Sequence, residues 1–156
     1  MPKKTRPDSD ATRSELAGRP QRLSFVVYSD SVDKIHYAFA MASAAAAVNI
    51  PACLFFTMGA IHALTDTDGR PGWQSMTTSD GRTGKLLDED YCRLGVAMFD
   101  ELIEACSALG VQFMVCEMGL RAVNLTRGDL RDDVEIAEGG LVTFYSAAGD
   151  SPITFL

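Results

Sequence analysis

The sequence predicts an α/β domain in three layers, with a mostly parallel sheet of about five strands at its centre. Three observations carry this expectation. Short apolar runs rich in Val and Phe recur without polar alternation, as strands buried on both faces do. Between them lie segments whose apolar residues recur every three or four positions. The order strand, helix, strand, helix, strand is that of βαβ units on a parallel sheet.

Residues 23–28 (LSFVVY) supply the first strand. Asp30 or Ser31 then caps a helix running to about Val48, with Ile35, Ala38, Phe39, Ala42, Ala45 and Ala46 on its inner stripe. Asn49 and Pro51 end it. Residues 52–58 (ACLFFTM) read as the second strand. Residues 65–87 are rich in Gly, Thr and Asp and lack periodicity, which predicts a long loop of the kind that forms a lid or a binding segment or is disordered. Its Trp73 points to burial against something else, a neighbouring subunit being one candidate.

Residues 88–109 predict one long helix, with Tyr91, Leu94, Met98, Leu102, Ala105 and Leu109 along its stripe and Gly110 as its stop. Residues 111–116 (VQFMVC) form the third strand, 134–137 (VEIA) the fourth and 153–156 (ITFL) the fifth. Residues 141–145 (LVTFY) admit two readings. Their composition suits a strand paired with ITFL as a hairpin. The topology suits a short helix from Gly140, with Leu141, Val142, Phe144, Tyr145 and Ala148 packed inward. A parallel crossover needs about a dozen residues, which 138–152 supply, and the helix is preferred.

A chain of 156 residues fits one domain and buries a core without disulfide or metal staples. The net charge of −7 is uneven: residues 1–22 carry +3 and the remainder −10. The first 22 residues read as a solvated, disordered basic tail, with the folded domain over 23–156. An acidic body disfavours nucleic acid as the main partner. No apolar run reaches the roughly 18 to 20 residues that span a bilayer, and the N-terminus lacks a signal-peptide core, so a cytoplasmic protein without membrane contact is expected.

Cys53, Cys92, Cys106 and Cys116 include no C-x-x-C pair, and with two histidines there is no zinc spacing. No G-x-G-x-x-G, Walker or G-x-S-x-G motif occurs, so no metal, nucleotide cofactor or serine-hydrolase chemistry is expected. Ligands of open α/β sheets bind at the carboxyl ends of strands. Those ends are Ser29 and Asp30, then Thr57, Met58 and Gly59, then Cys116, Glu117, Met118 and Gly119. Cys116 is the one cysteine at such an end. The following residues read as the first turns of a helix, whose N–H groups and dipole favour a thiolate, while the charge of Glu117 opposes it. The alternative is a buried cysteine that finishes a strand. Cys53, Cys92 and Cys106 read as packing residues, the last two within about 40° of each other on the long helix. His62 lies four residues past the second strand end and could reach the Cys116 mouth, whereas His36 reads as structural or solvent-facing.

With these residues in view, the chain resembles the DsrE/DsrF-like sulfur-relay family, and within it the branch called peroxiredoxin-like. The resemblance runs from about Leu23 to Leu156. It rests on LSFVVYSDSVDKIHYAFAMASAAAA, LFFTMGAIHAL, ELIEACSALGVQFMVCEMG and DDVEIAEGGLVTFY, and most specifically on a strand-ending cysteine followed by x-M-x. It implies a flavodoxin-like sheet, assembly into homo- or hetero-oligomers and GGLVTFYSAAG as the crossover helix. A homo-oligomer is also expected from apolar surface beyond what one small sheet needs, chiefly the Ala-rich first helix and residues 58–64. It further implies that Cys116 carries sulfur as a persulfide between donor and acceptor proteins. Glu117 stands where relatives commonly have Gln or a small residue, and the membrane segments found in parts of this branch are lacking. No thioredoxin-fold motif supports peroxidase chemistry. Two functions follow: a sulfur carrier or sulfurtransferase accessory using Cys116, or a non-catalytic oligomeric module binding a small ligand or partner at the same mouth. An accessory role in RNA modification is weakened by the acidic body.

Overall fold

A computed structural model describes residues 21–156. The expected basic tail therefore lies outside the described residues, apart from Gln21 and Arg22. Five strands form one fully parallel sheet: β1 (Leu23–Val27), β2 (Ala52–Phe56), β5 (Gln112–Cys116), β6 (Ile136–Gly139) and β7 (Ile153–Phe155). Their spatial order is β6-β5-β2-β1-β7. Strands β3 (Asp66–Thr67) and β4 (Arg70–Pro71) make a separate small hairpin. The α/β fold class with a parallel five-stranded sheet is as the sequence predicts.

Side chains alternate across the sheet as the pleat requires. Phe25, Val27, Leu54, Phe56, Phe113 and Val115 face one side. There they meet α1 (Val32–Ala47) and the helix α3 (Phe99–Ala108). Phe39 of α1 is fully buried against Phe56, Phe99 and Phe113, with ring centroids 5.3 to 5.9 Å apart. Val26, Cys53, Phe55, Met114 and Cys116 face the other side and form a smaller cluster with Phe144. That side is crossed by α5 (Leu141–Ala148), which links β6 at one edge to β7 at the other. Residues 141–145 are helical, and β7 pairs in parallel with β1; of the five residues expected to pack inward only Phe144 and Ala148 do, while Leu141, Val142 and Tyr145 are exposed because the short helix meets the sheet along a narrow line.

Four sequence expectations need correction. The single helix over 88–109 is two helices, α2 (Gly84–Leu94) and α3. Gly95 adopts φ +70°, and the Val96 N–H bonds back to the Tyr91 carbonyl, closing α2. Glu101 then accepts from the Met98 N–H at 2.8 Å and opens α3. Cys92 and Cys106 consequently sit on different helices. Second, the segment 65–87 is ordered by long-range contacts, and Trp73 is buried within its own chain. It stacks on Phe99 at 4.6 Å, and its indole N–H donates to Asp100 at 3.3 Å. Third, β6 begins two residues later than expected, where Ile136 meets Phe113, while Val134 enters the large core as a loop residue. Fourth, the Ala-rich stripe of α1 and the 58–64 segment, read as surplus apolar surface, are largely consumed in the core through Ala38, Ala42, Ala60, Ile61, Ala63 and Leu64.

Candidate functional site

Cys116 ends β5 and is the N-cap residue of α4 (Glu117–Ala122). Its register partner in β6 is Gly139, and the next residue, Gly140, is the N-cap of α5. Two helices therefore start beside this one position. Neither N-cap supplies a side-chain hydrogen bond, so the first N–H groups of both helices are left for other acceptors. Close approach is built in on both sides. A Cβ on Gly139 would lie 3.2 Å from Thr143, and one on Gly119 would lie 2.8 Å from the Met58 nitrogen and 3.0 Å from the Thr57 hydroxyl. The ends of β2, β5 and β6 are thereby drawn tightly together. The double glycine before an apolar run was the sequence signal for this arrangement.

The Cys116 side chain is 1% exposed and packs in the apolar cluster under Phe144, which stacks on Phe55 at 4.7 Å. Glu117 and Met118 are exposed, and Gly119 is buried. Glu117 is partly countered by Arg121 one turn on, at 3.7 Å.

The remaining strand-end residues divide into two neighbouring clefts. Ser29, Asp30, Met58 and Gly59 line one of about 450 Å³ with Tyr28, Lys34, Phe155 and Leu156. It opens at the carboxyl ends of β1, β2 and β7, where the strand order reverses direction around β1. Met58 there holds φ +50°, a conformation costly for a residue with a side chain. Thr57 is buried and does not line this cleft. His62 is exposed and lines a second cleft, of about 920 Å³, between the 3-10 turn Met58–Leu64 and the loop that follows. Asp30 and Gly59 belong to both. Cys116 lines neither, so the isolated chain does not bring His62 and Cys116 into one cleft.

The other thiols differ among themselves. Burial pushes the Cys106 thiol up to about 12, and its S–H donates to the Phe39 carbonyl at 3.3 Å. Burial also raises Cys53, with the Arg22 guanidinium pulling the other way. Both fit the expected packing role. Cys92 is exposed on α2 and is not a packing residue. His36 is buried, with Nε2 2.7 Å from the Ala97 carbonyl, and holds the α2–α3 junction. Among the described residues no cluster of His, Cys, Asp or Glu could hold a metal ion, and no helix is long and apolar enough to cross a membrane.

Comparison with solved structures finds the same architecture. The crystal structure of the ychN protein from E. coli superposes with a TM-score of 0.53 at 15% identity, covering 87% of this chain and 99% of that one. The protein of unknown function MTH1491 from Methanobacterium thermoautotrophicum gives a TM-score of 0.54 at 14% identity, covering 86% and 98%. In sequence, the chain is similar to the sulfur carrier protein DsrE2 of Allochromatium vinosum, at 25% identity over 154 residues, covering 85% of this chain and 96% of that protein. The model of the DsrE/DsrF-like family matches residues 21–155. With a match of that extent, the chain belongs to the DsrE/DsrF-like family.

Proposed function

We propose that this protein is a sulfur-relay protein that carries sulfane sulfur as a persulfide on Cys116. The observation that carries the reading is the place of Cys116: the carboxyl end of a central strand, between the starts of two helices. Family membership and the similarity to a sulfur carrier support the same role. In the forward step the Cys116 thiolate attacks the outer sulfur of a donor persulfide. A bond forms between Sγ and that sulfur, the donor S–S bond breaks, and the donor leaves as a thiolate. An acceptor thiolate then attacks the outer sulfur and Cys116 leaves in turn. Both steps are thiol exchange, which needs access and a thiolate but neither metal nor nucleotide. N–H groups around Glu117–Gly119 would receive the negative charge, and His62, if α5 and the 58–64 segment shift, would exchange a proton.

Access is the condition this reading imposes. A donor can reach a sulfur that is 1% exposed only if Phe144 and the start of α5 move aside. The same burial favours a second reading, a non-catalytic module of this fold that binds a small ligand or partner while Cys116 merely packs. Incubation with a persulfide donor followed by mass spectrometry separates the two. A one-sulfur adduct on the Cys116 peptide, lost in Cys116→Ser, is expected. No adduct on that peptide would leave the binding module. Glu117→Gln should raise Cys116 labelling by iodoacetamide at neutral pH about twofold, a small gain because Arg121 and solvent already screen the charge.

We further place the protein in the cytoplasm as a homo-oligomer that meets donor and acceptor proteins, and not nucleic acid or membrane. The supporting observation for assembly is apolar surface on and beside the thinly covered sheet face. Val142 is 81% exposed, Phe155 67% and Tyr145 56%. Light scattering at micromolar concentration should return a multiple of the monomer mass, and Val142→Glu with Phe155→Glu should reduce it to the monomer.

A further inference from the structure

The 920 Å³ cleft beside the strand ends has a charge that the rest of the protein does not share. The chain carries −7, yet this cleft is lined by Arg70, Lys85 and His62 against a single acid, Asp30. Five other arginines, Arg82, Arg93, Arg121, Arg127 and Arg131, all sit within 4 Å of carboxylates, and Arg22 is hydrogen-bonded to Gln112. Among the described residues Arg70 and Lys85 form no such pair. Lys85 is also placed at a local cost. It is the second residue of α2, in a first turn without any acid, where the helix dipole disfavours a cation. The hydroxyls of Thr77 and Thr83 add neutral polar groups to the lining, while those of Thr65 and Ser75 donate to the carbonyls of His62 and Gly72.

The wall bearing these groups is fixed rather than loose. The Gly72 N–H donates to the Thr65 carbonyl at 2.8 Å, and the Thr65 hydroxyl donates to the His62 carbonyl at 2.8 Å. A Cβ at position 72 would come within 2.0 Å of that hydroxyl oxygen, so only glycine lets the hairpin seat against the 58–64 turn. The Val32 N–H donates to the Thr77 carbonyl, Gly84 N–H to Met76, and Ser79 N–H to the Asp33 carboxylate, all within 2.9 Å. Arg70 and Lys85 are fifteen residues apart in sequence and are brought to one opening by this network.

We propose that this cleft binds a small molecule through a tetrahedral oxyanion, a phosphate or a sulfur oxyanion, held between Arg70 and Lys85 with His62 adding charge when protonated. The remainder of the ligand extends past Asp30 and Gly59, the residues shared with the strand-end cleft. Binding requires nothing of the Cys116 thiol, so Cys116→Ser binds as the wild type does, and failure here is distinct from failure of the persulfide reading.

Trp73, the one tryptophan of the chain, lies between the lining residues Gly72 and Gln74 and reports on the site. The full-length protein is titrated with sodium phosphate and, separately, sodium sulfate, at ionic strength held constant with sodium chloride, and followed by Trp73 fluorescence and calorimetry. Saturable binding in the millimolar range is expected, corresponding to about −4 kcal/mol at 1 mM. Arg70→Gln and Lys85→Gln should each weaken it at least about fivefold, while Arg121→Gln on α4 leaves it unchanged. Binding of both anions supports a site for tetrahedral charge, and binding of one alone supports it and names the ligand's source. Arg70 and Lys85 are exposed, so both variants retain the fold, as circular dichroism will verify. No saturable response to either anion, or equal affinity in Arg70→Gln and Lys85→Gln, would overturn the proposal.

Discussion

The two faces of the sheet are built to different standards. On one, α1, α3 and the Trp73 loop cover Phe25, Leu54, Phe56 and Phe113, and all four are at most 3% exposed. On the other, the eight residues of α5 lay essentially one ring, Phe144, over Phe55, Cys53 and Cys116. Ile153 and Phe155 of β7 share that second face and stay 40% and 67% exposed. Buried apolar area is the main source of folding free energy, so stability resides on the first face. The second holds the strand-end cysteine under a short helix of eight residues, with Phe144 as its main cover.

Truncation tests this division most sharply. Phe39→Ala removes a ring wedged among three others on the thick face and should cost about 3–5 kcal/mol, read from urea unfolding. Ser146→Ala on α5 over the thin face, at an exposed position, should stay within about 0.5 kcal/mol of wild type. Comparable losses at the two positions would show that α5 contributes as much to the fold as α1, and the division would fail.

A smaller change sharpens the contrast at the cysteine. Phe144→Leu keeps an apolar side chain over Cys116 but loses the aromatic stack on Phe55, about 1 kcal/mol. If labelling of Cys116 proceeds through local opening of α5, its rate should rise about fivefold, while Cys106 beneath the thick face should not change. Equal acceleration of both thiols would mean that reagent enters by global unfolding, leaving α5 without a gating role.

The central strands β1, β2 and β5 were legible because each is a largely apolar run buried on both faces, a pattern that needs no knowledge of partners, whereas the edge strands β6 and β7 are half exposed. The helix break at residues 95–98 was not. Leu94 and Met98 keep the helical spacing, yet Leu94 is 72% exposed, and periodicity alone cannot tell a stripe that packs from one that does not. The 65–87 segment looked unstructured because its order comes from residues distant in sequence, such as Phe99 for Trp73 and Asp33 for Ser79. At the site, the strand-end position of Cys116 was visible from the sequence. Its burial was not, since Phe144 arrives by a crossover between opposite sheet edges. The cationic cleft was missed because Arg70 and Lys85 share no periodic pattern and meet only through the hairpin.

The weakest effect concerns a charge within the thick face. Asp88 on α2 is buried and accepts a 2.7 Å hydrogen bond from the Phe99 N–H, tying the α2–α3 junction together. Burial raises its pKa above the ordinary 3.8, the Phe99 bond and His36 draw it down, and Asp100 and Glu101 add to the rise. A carboxyl raised on folding is more protonated in the native state than in the unfolded chain. The contribution of Asp88 to stability therefore falls as pH climbs from 3.8 through its raised native value, and is constant above it. Asp33 and Asp133 are lowered instead, Asp133 chiefly by Arg131, and their contributions are lost as pH falls below the ordinary range. Asp88→Asn keeps an oxygen for the Phe99 N–H and removes only the titration. The difference in Tm between wild type and Asp88→Asn, measured across pH 4 to 7, should thus drift against the wild type with rising pH and level off. A drift of the opposite sign would mean that the Phe99 bond outweighs burial and that this junction favours the charged carboxylate.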